Sequence, residues 1–211
     1  MINKHGTMGN EFNFYSNLEP KLNTVIDVGA RDSFFTDLEC EVHYFEPDSK
    51  AFTDLGKKIT KNNHYINKLG LGMDANNKKL YNESGSTNIR PSAFVNYGIN
   101  EDIKIIRLDS YVLEKNIKQI SLLKIDTEGM EYEVLKGLGD YLKICEYIIF
   151  EYAWDTAEAA GVDFYDIKNL LTDFDLFEMG IDGELITLDE QKITAKVRPN
   201  TNNIVAKYRN G

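Results

Sequence analysis

In "TVIDVGA" an apolar run closes on Asp27 and Gly29, and about 20 residues later "EVHYFEP" closes on Glu46. A glycine just after a first strand lets the backbone approach a ligand, and an acid after the second strand at this distance can hold ribose hydroxyls. The spacing is that of a site for an adenosine-containing cofactor. Further along, "LLKIDTEG" places Asp126 and Glu128 directly after a third apolar run, and "YIIFEY" places Glu151 near the end of a fourth. Carboxylates at such positions can take up or orient protons of a bound substrate.

Two cofactors compete for the first half. A dinucleotide carries a pyrophosphate, which requires an open helix N-terminus and a G-x-G-x-x-G turn. The turn here is "GARDSF", with Arg31 and Ser33 in the later positions and an Asp32 that opposes phosphate. Asp27 opposes it as well. S-adenosylmethionine has no phosphate and brings an ammonium and a sulfonium, so an acid beside it is favourable. NAD-dependent redox chemistry is therefore disfavoured.

These residues need a scaffold that aligns strand ends. "TVIDVG", "EVHYFEP", "HYINKLGLG", "ISLLKIDTEG" and "CEYIIFEY" are rich in β-branched and aromatic residues and end in turn formers, the strand pattern. Helical spacing separates them in "SKAFTDLGKKITKN", through Ala51, Phe52, Leu55 and Ile59, and in "MEYEVLKGLGDYLK", through Val134, Leu135 and Leu138. "SFFTDLE" predicts a short helix of about two turns. Strands apolar on both faces and alternating with helices predict a parallel sheet covered on both sides. "KKLYNES" and "EDIKIIRLDSYV" read as two further strands, joined by a polar excursion over residues 84–100 long enough to serve as a substrate lid. "FYDIKNLLTDF" predicts a helix, "LFEMGIDGELITL" two strands about a glycine turn, and "NNIVAKYR" the last strand. With no repeat or linker, residues 1–211 read as one domain, with residues 1–22 as an N-terminal extension.

Composition narrows the partners. A net charge of −10 disfavours nonspecific contact with a phosphate backbone, leaving only the local group Lys192, Lys196 and Arg198 as a basic patch. No apolar run reaches the length of a membrane span and the first residues lack a signal-peptide core, so the expected address is cytoplasmic. Cys40 and Cys145 are too few for a disulfide framework and read as reduced thiols. His5, His43 and His64 are scattered and read as structural or exposed.

"LLKIDTEGMEYEVLKG" resembles the most recognisable segment of the FkbM-type methyltransferases, S-adenosylmethionine-dependent O-methyltransferases of sugars and polyketide-like hydroxyls. "VIDVGA", "YFEPD", "KLGLG", "RLDSYV" and "NNIVAKY" follow the family's order, so the likeness runs over residues 24–208. The chain departs from the family at Arg31 and Ser33, where members usually carry Asn and Gly, and in a shorter first helix. The resemblance implies a class I methyltransferase fold, Rossmann-like α/β: a mostly parallel seven-stranded sheet with helices on both faces and an antiparallel last strand. It implies Asp27, Gly29 and Ala30 under the methionine part of S-adenosylmethionine, Glu46 on its ribose, and Leu69 and Gly70 near the adenine. Asp126 and Glu128 would face the methyl group and the substrate, with Asp126 as general base and Glu128 orienting the hydroxyl. Asp109 is expected to cap or orient the segment after it. The acceptor implied is a small molecule, a sugar or glycan.

Other readings of the same residues remain open. Asp126 and Glu128 also suit an acidic helix N-terminus that satisfies free N–H groups. With Glu131 they offer hard oxygen ligands of the kind Mg²⁺ accepts, but no histidine or second carboxylate cluster accompanies them, and a metal is not favoured. Tyr97, Tyr152 and Trp154 can wall a sugar ring or simply pack. The whole domain can also be a catalytically silent Rossmann-like module that binds a partner.

Overall fold

A computed structural model describes residues 9–83, 86–88, 98–197 and 201–209. The β-branched apolar runs become the centre of a sheet. β1 (Thr24–Val28) pairs in parallel with β8 (Ile120–Ile125), and both are buried almost throughout. β2 (Glu41–Phe45) and β3 (His64–Asn67) extend the sheet on one side and β9 (Cys145–Ala153) on the other, all parallel. β12 (Thr201–Tyr208) then inserts antiparallel between β9 and β10 (Phe174–Met179). β11 (Leu185–Thr187) folds back along β10, giving the order β11-β10-β12-β9-β8-β1-β2-β3.

This is the expected mostly parallel sheet with an antiparallel last strand, but it has eight strands where seven were expected. The eighth is β11. The turn after β10, closed by Gly180 N–H donating to the Glu184 carbonyl (2.8 Å), returns the chain along the sheet edge long enough to pair.

A second, four-stranded sheet was not foreseen. β4 (Gly70–Leu71), β5 (Asn76–Glu83), β6 (Ser86–Asn88) and β7 (Gly98–Ile106) lie in the order β4-β7-β5-β6. The run "HYINKLGLG", expected as one strand, is thus divided between two sheets. Asn67 marks the break, donating from Nδ2 to the Tyr44 carbonyl (2.9 Å) and the Tyr111 hydroxyl (3.2 Å). Of the expected lid over residues 84–100, residues 86–88 and 98–100 belong to β6 and β7; 84, 85 and 89–97, including Tyr97, lie outside the described residues, as do His5 and Arg198.

Helices cover both faces. α1 (Gly9–Leu18) lies in the N-terminal extension. α2 (Ser49–Lys58) starts where Asp48 accepts from Ala51 N–H (2.7 Å) and ends on Lys57 and Lys58, complementing its dipole. α3 (Leu108–Lys115) stops at Asn116 in the left-handed region. α4 (Glu131–Leu138) follows β8, α5 (Trp154–Ala159) follows β9, α6 (Phe164–Leu170) carries an Asp163/Asp166 capping box, and α7 (Glu190–Thr194) precedes the last strand. Asp109, in the first turn of α3, is held by Arg107 Nε (3.1 Å) and makes no cap.

The helix expected over "SFFTDLE" does not form. Phe35 N–H bonds to Ser33 Oγ (3.1 Å) and Leu38 N–H to the Phe35 carbonyl (3.2 Å), so the segment is a string of turns. In these turns Phe35 and Leu38 are both buried in the core that α1 helps to build, and Phe35 packs edge-on to Tyr15 at 5.0 Å.

The pleat sorts side chains to two cores. Ile26, Val28, Leu123 and Ile125 face the core shared with α3, α4 and α6, whereas Val25 and Leu122 face the core built by α1 and the turns after β1. Asp27 and Lys124 fall on the α1 face. They are direct register partners across β1 and β8.

Candidate active site

The C-terminal ends of β1, β2 and β8 are stapled together by backbone bonds. Gly29 and Ala30 N–H both donate to the Phe45 carbonyl (2.9 and 3.2 Å), and Asp126 N–H donates to that of Val28 (3.0 Å). At Gly29 the backbone has φ +77°, and a Cβ would run into the Asp126 carbonyl oxygen. Only glycine allows this closeness. Beyond the strand ends opens a cavity of about 380 Å³.

Seven of the eight residues expected at the site line this cavity: Asp27, Gly29, Glu46, Leu69, Gly70, Asp126 and Glu128. Ala30 does not, because its methyl group is buried in the α1-side core. Leu80, Ile103 and Ile105 of the small sheet form an apolar wall, and among the described residues six carboxylates with two cations supply the charge.

Asp27 is fully buried, and neither of its oxygens has a hydrogen-bond partner among the described residues. Burial pushes its carboxyl above the usual range; Lys124 and the nearby Ser33 hydroxyl act against this. Lys124 Nζ lies 3.1 Å from Asp126 Oδ2 and 3.9 Å from Asp27 Oδ1. Burial alone would depress its ammonium, but Asp126, Asp27 and Glu11 outweigh burial and hold it charged. Glu46 is 3 % exposed and accepts from Asp48 N–H (2.9 Å). Burial pushes it up to about 7, although that bond and the Arg31 guanidinium pull it down.

The loop from Asp126 to Met130 is shaped by Glu131. Its buried carboxylate accepts from Thr127 N–H (3.0 Å), Thr127 Oγ1 (2.9 Å) and Gly129 N–H (3.2 Å). Glu128 thereby sits at φ +55°, unusual for a residue with a side chain. Glu131 is therefore a brace, its Oε1 engaged by the donors of the loop itself. Among the described residues no group of three His, Cys, Asp or Glu side chains is arranged to hold a metal. Glu151, near the end of β9, is pushed up to about 8 by burial and by Asp126, Glu128 and Glu131.

Besides the apolar wall, three charged residues of the site were not foreseen as such: Lys124, Glu131 in its bracing role, and Glu11 of α1, which also lines the cavity. Lys124 carried a signal, being the lone charge in "ISLLKI", where a buried cation requires a partner. The two described histidines are tied into the framework: His43 bonds Tyr111 Oη (2.9 Å) and Glu41 (2.7 Å), and His64 bonds Tyr44 Oη (3.0 Å). Tyr152 is core, packed edge-on to Phe164. Lys192 and Lys196 are paired with Glu178 and Glu158, and no described helix is long and apolar enough to cross a membrane.

The family described as Methyltransferase FkbM domain matches residues 27–178. Hexuronic acid methyltransferase AglP of Haloferax volcanii is 27% identical over 142 residues, 64% of this chain and 54% of that protein. Methyltransferase FkbM from Methylobacillus flagellatus KT superposes with a TM-score of 0.50 at 14% identity, covering 89% of this chain and 44% of the other. A TehB-like SAM-dependent methyltransferase from Corynebacterium glutamicum superposes with a TM-score of 0.51 at 8% identity, covering 97% and 90%. The chain thus spans about half the length of the first two. The structural likeness shows the fold, that of class I methyltransferases.

Proposed function

Because the chain belongs to the FkbM methyltransferase family, we propose that it methylates a hydroxyl of a small acceptor, a sugar or glycan, using S-adenosylmethionine. The observation that carries this reading is Asp27, a fully buried carboxylate without a hydrogen-bond partner among the described residues, in the wall of the cavity. A buried acid so placed fits a cationic ligand group and repels a pyrophosphate. The donor set therefore fits S-adenosylmethionine, which when bound supplies an electrophilic methyl group for a nucleophilic oxygen.

In this reading Asp27 holds the amino group of the methionine part, Glu46 accepts from the ribose hydroxyls, and Leu69 and Gly70 flank the adenine. Asp126 takes up the proton of the acceptor hydroxyl. Lys124 fixes one of its oxygens, Oδ2; Oδ1, with no hydrogen bond among the described residues, is left for the acceptor. Glu128, held at its strained φ by the Glu131 brace, orients the same hydroxyl. Holding oxygen and methyl in line is the main work of such a site, since an alcohol is a weak nucleophile until its proton has an acceptor. The sugar acceptor is supported by the hexuronic acid methyltransferase relative. The acids Asp126 and Glu128 in the cavity wall together favour a neutral or cationic sugar over an anionic one.

Calorimetric titration with S-adenosylhomocysteine, with NAD as control, tests the cofactor. Saturable binding of the former alone is expected; binding of NAD, or of neither, overturns the reading. Labelled-methyl transfer to monosaccharides then tests the bond formed, an alkali-stable product marking an ether and an alkali-labile one refuting hydroxyl methylation.

A further inference from the structure

We infer that Lys124 is a positioning residue for the cofactor as well as for the base: its ammonium faces Asp27 as a counter-ion without bonding to it, so the acid meets the cofactor's amino group already ionised and with both oxygens open. The inference rests on the cofactor reading above. Asp27 and Lys124 are register partners on the parallel strands β1 and β8, so their side chains leave the same face of the sheet side by side. Both are buried, and both line the cavity.

The two distances divide the work of the ammonium. Nζ donates to Asp126 Oδ2 at 3.1 Å, which anchors it. From Asp27 Oδ1 it stands 3.9 Å away, close enough to attract strongly in a buried corner and too far for a hydrogen bond. Neither Asp27 oxygen bonds elsewhere among the described residues. The acid is thus given a charge partner while its lone pairs stay available, and an α-ammonium has three N–H donors to fill them. A buried ion pair that served only the fold would close the bond, because an unbonded buried carboxylate is costly.

Exposure shows which acid depends on the cation. The Asp126 side chain is 45 % exposed and is solvated in its own right, whereas that of Asp27 is 1 % exposed. The groups that interact with Asp27 are Lys124 and Asp126 at the end of β8, Ser33 from the turns after β1, Glu11 and Tyr15 from α1, and Tyr44 and Glu46 at the end of β2. Burial pushes the Asp27 carboxyl up; Lys124 is the chief influence pulling it down, Ser33 adds to Lys124, and Asp126 opposes it. Without the ammonium, Asp27 would hold a proton that the cofactor must displace. Lys124 itself stays charged, because Asp126, Asp27 and Glu11 outweigh its burial.

The test compares S-adenosylhomocysteine, which carries the α-ammonium, with 5′-methylthioadenosine, the same adenosine thioether without the amino-acid part. Both have the ribose, so the ratio of their affinities is free of the Glu46 contribution and reads the amino-acid end alone. In the unmodified protein, calorimetry should show this ratio changing by less than about threefold between pH 6 and 8. In Lys124→Met, of similar length but uncharged, the ratio should fall about tenfold or more from pH 8 to pH 6, because binding then expels the Asp27 proton. A variant that merely loosened the strand would lower both affinities alike at every pH. A ratio as flat in Lys124→Met as in the unmodified protein therefore overturns the inference. Should that variant fail to fold, the unmodified protein decides by itself, since titrations at pH 7 in two buffers of different ionisation enthalpy count the protons released. Equal counts for the two ligands, within about 0.3, are expected. About one proton more released with S-adenosylhomocysteine shows Asp27 protonated in the unliganded protein and overturns the inference. Either negative result leaves the cofactor reading standing. If the unmodified protein binds neither ligand, that reading fails and takes this inference with it.

Discussion

Glu46 gives the proposed cofactor site a pH dependence with two opposite signs. The carboxyl titrates at about 7 in the folded protein, against an ordinary value of 4.5, chiefly because it is buried. A raised acid binds its proton more tightly folded than unfolded. Its stability contribution is therefore complete below about 4.5 and is lost as pH rises through about 7. From the two values, holding Glu46 ionised at pH 8 costs the free protein up to about 3 kcal/mol, or roughly 6–12 °C in melting temperature for a chain of this size. Glu46→Gln, which keeps an oxygen for Asp48 N–H, should melt higher than the unmodified protein at pH 8 and no higher at pH 4.5. Ligand binding runs the other way, since ribose hydroxyls donate best to the ionised form. Between pH 7.5 and 5.5 the affinity for S-adenosylhomocysteine should fall by about 10- to 25-fold, the range depending on how poorly the protonated acid substitutes. In Glu46→Gln the affinity should be low throughout, with that part of the pH dependence removed. Calorimetry across this range, paired with melting curves of the free protein, checks both signs. The same pH profile in the variant, or no gain in its melting temperature at pH 8, refutes the assignment of Glu46 as the ionised ribose acceptor.

Other expectations concern the loop after β8. Asp126→Asn should abolish labelled-methyl transfer while leaving S-adenosylhomocysteine affinity within about threefold, because its proposed task is the acceptor's proton; retained turnover rules it out as the base. Glu131→Ala leaves three donors of this loop without their acceptor and should cost about 2–4 kcal/mol in urea unfolding, whereas Glu131→Gln, which keeps an oxygen, should cost less than half of that. Equal losses in the two variants would show that the brace acts through packing alone.

The central strands were legible because a parallel strand buried on both faces leaves a continuous apolar run, and their ends were legible because an acid or a glycine stops each run. Asp27, Glu46 and Asp126 follow directly from that. The small sheet was not legible: Gly70 and Leu71 carry no signal for a change of sheet, and their partners in β7 are drawn from a distant part of the chain. The turns at residues 33–39 escaped for a related reason, since Phe35 and Leu38 are spaced for a helix while the core that receives them is contributed by distant parts of the chain. Glu11 was invisible as a site residue because its neighbours across the cavity are contributed by β1 and β8, and nothing in "GNEFNFYSNL" indicates which face of which strand the helix will cover. Lys124 alone was a missed opportunity, a charge standing in an otherwise apolar buried strand.

The small sheet has one further property. Leu80, Ile103 and Ile105 form its hydrophobic cluster, and the same three side chains line the cavity. Any molecule seated there is at once cargo and core: it covers the apolar surface on which the small sheet depends. Local opening of β5 and β7 must then compete with binding, so occupancy suppresses opening by the factor that ligand concentration over dissociation constant sets. If that molecule is the proposed cofactor, its supply would act on the integrity of the small-sheet wall of the cavity.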